Sequence, residues 1–327
     1  MDIFVLLDFF GGLALFLYGM KEMGDGLESA AGERLEGIIS RFCSRTWKGV
    51  LVGATATAAV QSSSAITVMV VGFVNSGIMK LSEAVGVIMG ANLGTTITSW
   101  ILSLTGIEGD NLLIRLLKPS ALAPILVLAG VIIIMRKKHR AGRSVGTIFA
   151  GLGILFFGME IMSSAVEPIA DNPEFASILT LFESPIAGLL AGVVLTAIVQ
   201  SSSASVGILQ ALAIGGRVSY ALAIPIVMGQ NIGTCVTALL SSIGTSKNAK
   251  RAAFVHLYFN VIGTAVLLTA FYTLKSLLKL DLYSTSATAA SIALIHTAFN
   301  LISTLILLPF ASFLRRLAEW TVKEESK

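Results

Sequence analysis

The sequence predicts an all-α polytopic membrane protein built from two inverted-topology repeats. Each repeat carries a re-entrant helical hairpin, and about seven full spans accompany the two hairpins. Three observations lead there. The composition suits a bilayer: 55% of the 327 residues are apolar and 13% are charged, with a mean hydropathy of +0.85, far above a soluble domain. An apolar stretch is interrupted by Gln61-Ser62-Ser63-Ser64, and the same four residues return 139 positions later as Gln200-Ser201-Ser202-Ser203. Basic residues gather in clusters whose sidedness decides how the chain crosses the membrane.

The spans come first. Long apolar runs begin at Ile3, Ala84, Ala121, Ser144, Ala221, Ala252 and Ala289, each near the ~20 residues a helix needs to cross ~30 Å of hydrocarbon. No basic stretch precedes the first run, so it reads as a retained helix rather than a cleaved signal. The net charge of +4 is a topology signal and not a nucleic-acid footprint. Cys43 and Cys235 fit no metal or redox spacing, and no transition-metal site or disulfide is expected from them.

The repeat extends well beyond the serines. At the same offset Gly12 matches Gly151, Gly19 matches Gly158, and Gly53 matches Gly192. Gly90, Asn92, Gly94, Thr95 and Thr98 match Gly229, Asn231, Gly233, Thr234 and Thr237. A single ungapped register means a duplicated unit. Residues 1–138 form the first repeat, 139–280 the second, and 281–327 an extra C-terminal span and tail.

Around the first motif, Gly49 to Val60 and Ala65 to Gly77 are apolar pieces of 12 and 13 residues. At 1.5 Å per residue each covers roughly 20 Å, too short to span. Either residues 49–77 are one tilted helix with serines inside it, or they fold as a hairpin with the motif at its tip; residues 186–216 pose the same choice. The clusters at Arg41, Arg45 and Lys48, at Arg136 to Arg143, at Lys247 to Arg251, and at Arg315 and Arg316 decide it. Hairpins put all four on one face, as the positive-inside rule requires. Each repeat then crosses three times, so the second copy is upside down, with the N-terminus outside and the C-terminus cytoplasmic. The stretch from Gly26 to Arg45 reads as an amphipathic helix lying at the cytoplasmic interface.

A broken helix leaves unpaired N–H groups at one fragment's start and unpaired carbonyls at the other's end. The N–H groups, the dipole and three hydroxyls make an anion cradle. Two opposed cradles suit a small tetrahedral oxyanion held at Ser62, Ser63 and Ser64 and at Ser201, Ser202 and Ser203. Carbonyl ends suit a hard cation such as Na+. The segments Gly90 to Thr98 and Gly229 to Thr237 lie mid-span, where flanking glycines permit local unwinding. Asn92, Thr95, Thr96 and Thr98, with Asn231, Thr234 and Thr237, offer oxygens to Na+ there. A membrane Ser or Thr taken singly reads as a hydroxyl bonded back to its own helix; two tips and two Gly-x-Asn-x-Gly-Thr segments in register do not. No charged residue lies in these motifs, which calls for an anion neutralised by dipoles and co-bound cations, hence coupled transport. His256 with Asn260, and His296 with Asn300, each share a helix face, where they line a pathway, couple protons or tie helices together.

The paired motifs, Gln-Ser-Ser-Ser followed by Gly-x-Asn-[Ile/Leu]-Gly-Thr, resemble the type II sodium/phosphate cotransporter family over roughly Gly12 to Pro309. The resemblance implies inorganic phosphate as substrate, Na+ as coupling ion and no organic cofactor. It implies phosphate contacts at the tips Gln61 to Ser64 and Gln200 to Ser203, sodium contacts at Gln61 and Gln200 as well, and Thr234 and Thr237 as the strongest sodium candidates. It allows a homodimer and a PhoU-like cytoplasmic partner, and no nucleic acid. Bacterial members of that family often continue into a PhoU-like domain, and a sequence ending at "RRLAEWTVKEESK" either lacks one or has been shortened. Other readings are transport of another oxyanion, or a membrane sensor or partner subunit that binds phosphate without moving it. An intramembrane serine hydrolase finds no Gly-x-Ser-x-Gly elbow and no Asp, Glu or Lys beside the serines, so no enzyme is expected.

Overall fold

The computed structural model describes residues 3–42, 45–106, 118–136, 139–169, 181–214, 216, 218–278 and 285–323. Among these residues it is helical, with a lone backbone bridge between Ser219 and Ser286. The helices are α1 (Ile3–Phe42), α2 (Thr46–Val60), α3 (Ser63–Asn75), α4 (Leu81–Ser103), α5 (Pro119–Arg136), α6 (Arg140–Val166), α7 (Pro185–Val199), α8 (Ser202–Ile214), α9 (Tyr220–Ser241), α10 (Lys247–Leu278), α11 (Ala289–Leu307) and α12 (Ala311–Thr321). Six of them (α1, α4, α6, α9, α10 and α11) are long and apolar enough to cross a membrane, and α5 is a shorter apolar helix. The protein is thus an all-α polytopic membrane protein.

Both serine motifs break a helix. The arms α2 and α3 have 15 and 13 residues, and α7 and α8 have the same two lengths. At 1.5 Å per residue such arms reach about 20 Å, short of a bilayer's hydrocarbon.

Two expectations need correction. The stretch from Gly26 to Arg45 is not a separate interfacial helix: α1 runs unbroken for 40 residues from the apolar segment through Phe42. Cys43 lies outside the described residues. Nor do the Gly-x-Asn-x-Gly-Thr segments unwind, since α4 and α9 are continuous through them. Their glycines serve close approach instead. A Cβ on Gly90 would run into the Val50 carbonyl, and one on Gly53 into the Val87 carbonyl. In the second copy Gly229 meets the Leu189 carbonyl and Gly192 the Ile226 carbonyl in the same way. The longer helix of each half therefore lies backbone to backbone along the first arm of its hairpin, running in the same direction.

A second glycine seam joins the halves. Gly12 of α1 abuts Gly158 of α6, and Gly19 abuts Gly151, so the two helices run antiparallel. The side chains of Phe16, Leu155, Phe156, Met159 and Met162 fill the space around this seam and are fully buried. Further along the pair, Ser144 donates a hydrogen bond to Ser29 at 3.0 Å.

Basic residues collect at one end of the bundle. Asn75 accepts from the Ser246 amide at 2.8 Å, which sets the start of α10, with Lys247, Lys250 and Arg251, beside the end of α3. Arg251 donates to the Val322 carbonyl at 2.9 Å, docking α12 with its Arg315 and Arg316 at the same end. The apolar side of α12 is anchored there by Leu314 and Ala318, both 0% exposed.

Candidate functional site

Each hairpin tip is a left-handed residue followed by a serine cap. Gln61 has φ 59° and Gln200 has φ 57°; among the described residues these are the only non-glycine positions with positive φ. Each ends the first arm by returning its amide to a carbonyl four residues back, Thr57 and Thr196 respectively, both at 2.6 Å. The next residue starts the second arm. Ser62 accepts from the Ala65 amide and Ser201 from the Ala204 amide, each at 3.2 Å. The first helical bonds then come from Ile66 and Ser205. The amides of Ser63 and Ser64, and of Ser202 and Ser203, lie ahead of those bonds, where a helix start presents N–H groups to an anion.

The structure brings the tips together. The Ser64 hydroxyl donates to the Gln200 carbonyl at 3.5 Å across 136 residues of sequence. Gln61, Ser62 and Ser201 line a cavity of about 340 Å3 together with Leu17, Met20 and Lys21 of α1. Asp25 and Glu28 line it too. Lys21 donates to Asp25 at 2.8 Å. The sequence reading missed this wall, because it sought charge within the motifs and these charges stand on a helix that the repeat register matches mainly through glycines.

The expected sodium residues divide into groups. Thr95 donates to the Ala91 carbonyl, Thr96 to the Leu93 carbonyl and Thr234 to the Gln230 carbonyl. A hydroxyl that has given its proton to its own helix still has oxygen lone pairs for a cation. The Asn231 amide also bonds back, to the Val227 carbonyl at 2.8 Å. Thr98 instead reaches out and donates to Oε1 of Gln61 at 2.8 Å. Thr237 is half-buried, and its buried hydroxyl has no partner.

Further buried hydroxyls stand beside these. Thr57 and Thr196 occupy matching places on the first arms, both 0% exposed and both with unpaired Oγ1 atoms. Each lies against a motif glycine, Gly94 or Gly233. The sequence signal that could have found them is the 139-residue register itself, which pairs Thr57 with Thr196.

The histidines tie helices together. His256 meets Oδ1 of Asn92 at 3.2 Å, and Nδ1 of His296 meets the Ser99 hydroxyl at 2.7 Å. Their companions Asn260 and Asn300 bond back to the carbonyls of His256 and His296. Cys235 donates to the His256 carbonyl at 3.5 Å and accepts from Asn260. Gln210 of α8, unnoticed in the sequence, donates to the carbonyls of both Ser99 and Ala289 at 2.9 Å. The second arm is thereby pinned to α4 and α11.

The family model described as Na+/Pi-cotransporter matches residues 15–164 and again 157–304. The chain belongs to the Na+/Pi-cotransporter family. The uncharacterised protein YqeW of Bacillus subtilis is 32% identical over 265 residues, 81% of this chain and 82% of the relative. YjbB of Salmonella typhimurium, provisionally named an inorganic phosphate export protein, is 30% identical over 84% of this chain and 48% of its own length. The chain thus spans about half of YjbB. The human sodium-dependent phosphate transport protein 2B is 34% identical over 137 residues, 38% of this chain and 20% of the relative. No solved structure matches the chain. Each of the two matched stretches includes one of the serine motifs.

Proposed function

We propose that the protein is a sodium-coupled inorganic phosphate transporter of the cell membrane that works by alternating access, with phosphate held between the two hairpin tips. The observation that carries the reading is the meeting of the tips at Ser64 and Gln200 beside an open cavity. Ser62 and Ser201, at the starts of the two second arms, line this one volume, a chemistry suited to an oxyanion. Sodium binds where Gln61 and Gln200 turn back, with oxygens from Asn92, Thr95, Thr96, Asn231, Thr234 and Thr237.

In this reading residues 1–138 and 139–280 are inverted repeats and their hairpins are re-entrant. The antiparallel contact of α1 with α6, equivalent helices of the two halves, supports the inversion. Basic residues gathered at one end support a cytoplasmic face there, with the N-terminus outside and the C-terminus inside.

The test is uptake of labelled phosphate into proteoliposomes under an imposed Na+ gradient, with K+ replacing Na+ as control. Sodium-dependent accumulation is expected. Equal uptake in both salts defeats sodium coupling, and binding without flux makes the protein a sensor.

A further inference from the structure

The two halves are built on one pattern but packed differently. On α8, Gly207 and Ala211 face inward. Gly207 lies against the Phe16 ring, and the Ala211 carbonyl accepts from the Ser163 hydroxyl at 3.1 Å. Under that arm Phe156 and Met159 of α6 are 1% and 0% exposed.

The positions 139 residues earlier behave otherwise. Val68 and Gly72, the counterparts of Gly207 and Ala211, form an exposed face of α3, with Val68 at 36%. A Cβ on Gly72 would have nothing within 4 Å, and the same holds for Gly24 of α1, the counterpart of Ser163. Leu17 and Met20, the counterparts of Phe156 and Met159, are only half-buried and line the cavity at the tips. A second cavity of about 340 Å3 lies toward the other end of the bundle, lined by Glu160, Ser163, Ser164 and Glu167. Those four residues correspond to Lys21, Gly24, Asp25 and Glu28 of the first cavity. The lining of the second cavity reaches α8 at Ile214, not at the tips.

We infer that the exposed face of α3 is an interaction surface for α1 of the same chain. It closes over Leu17, Met20 and Gly24 as α8 now closes over Phe156, Met159 and Ser163. Gly24 and Gly72 are the meeting point. Two features argue for this occupant. The same face of the other copy already makes this contact, and the wall it would cover is apolar at Leu17 and Met20 and has room at both glycines. Closure fills the cavity at the tips and releases the corresponding contact of α8, since a tip reached from both ends at once would leak. The inference rests on the inverted-repeat and alternating-access reading above.

The experiment uses cysteine pairs in the full chain, with Cys43→Ala and Cys235→Ala. One protein carries Gly24→Cys with Gly72→Cys, a second carries Ser163→Cys with Ala211→Cys, and a third carries all four. Oxidative bridging is followed by mass spectrometry without ligand, with Na+, and with Na+ plus phosphate. Each pair is expected to bridge within one chain under at least one condition. The four-cysteine protein is expected to hold one bridge or the other and never both in the same molecule. A Gly24–Gly72 pair that never bridges while Ser163–Ala211 does overturns the closure. So does bridging of Gly72→Cys between two chains, which would give the face to a second copy. Phosphate flux is measured separately on the unaltered protein. If the bridges alternate without flux, the closure stands and the transport reading falls; flux with no Gly24–Gly72 bridge removes the closure alone.

Discussion

The Thr98 hydroxyl donates to Oε1 of Gln61 at 2.8 Å, whereas Thr237, its counterpart in the second half, keeps a buried hydroxyl without a partner. One tip is therefore tied to its neighbouring helix through this threonine, and the other has an oxygen in reserve. Thr98→Val should remove a hydrogen bond of about 1 kcal/mol, read as a roughly fivefold rise in the Na+ concentration for half-maximal uptake. Thr237→Val should shift sodium activation at least as far while leaving the melting temperature unchanged, because it deprives no group in the protein of a partner. Unshifted sodium curves in both variants would remove these threonines from the cation site.

Ser63→Ala and Ser202→Ala test the anion cradle. Each serine is nearly buried at the start of its second arm, with 4% and 5% exposure. A hydrogen bond to a charged group contributes about 1.5–3 kcal/mol, so phosphate affinity should fall by roughly tenfold or more. Circular dichroism melts should match the parent. Wild-type uptake in both variants would place the substrate elsewhere.

Lys21 is a cation lining the cavity at the tips, and Asp25 holds it. Both side chains are well exposed, so their pair adds little stability. A positive charge in an anion's route matters for capture. Lys21→Met should raise the phosphate concentration for half-maximal uptake by about tenfold at low ionic strength and less in high salt. Asp25→Asn, which frees the ammonium, should lower it. Identical values at both salt concentrations would show that phosphate does not pass this wall.

The glycine seams predict where the fold is least tolerant. Gly90→Val and Gly229→Val push side-chain atoms into the Val50 and Leu189 carbonyls. Overpacking of this kind costs about 1–3 kcal/mol, and both variants should melt earlier and elute as broadened peaks. Gly11→Ala, with open space around its Cβ, is the control and should behave as the parent.

Sidedness can be read by labelling intact cells with a membrane-impermeant maleimide. Ser286→Cys, at the end of the bundle away from the basic residues, should react from outside. Lys80→Cys should react only after permeabilisation. The reverse pattern would turn the molecule over.

Much of this architecture was legible in the amino-acid order. Helix class, the break at each serine motif and the paired arms follow from apolar run length and from polar residues where hydrocarbon tolerates few. The role of the Gly-x-Asn-x-Gly-Thr glycines was misread, because glycine at a helix centre serves unwinding and close packing equally, and only a neighbouring backbone distinguishes them. Lys21, Asp25 and Glu28 escaped notice because an ion pair on a long helix looks like ordinary surface until the hairpin tips are folded beside it. Gln210 was hidden for a related reason: its partners are backbone carbonyls, which leave no trace in residue identity.

Both tips turn through glutamine rather than glycine. A left-handed backbone is unfavourable for a residue with a Cβ by about 1–2 kcal/mol, and glycine would make the same turn without that penalty. At Gln61 glycine would also delete the carboxamide that accepts from the Thr98 hydroxyl. The turn at Gln61 is thus a strained joint whose side chain is held by Thr98 of α4. Selection for heat resistance alone would favour glycine at Gln61 and Gln200, the two residues where the chain turns back.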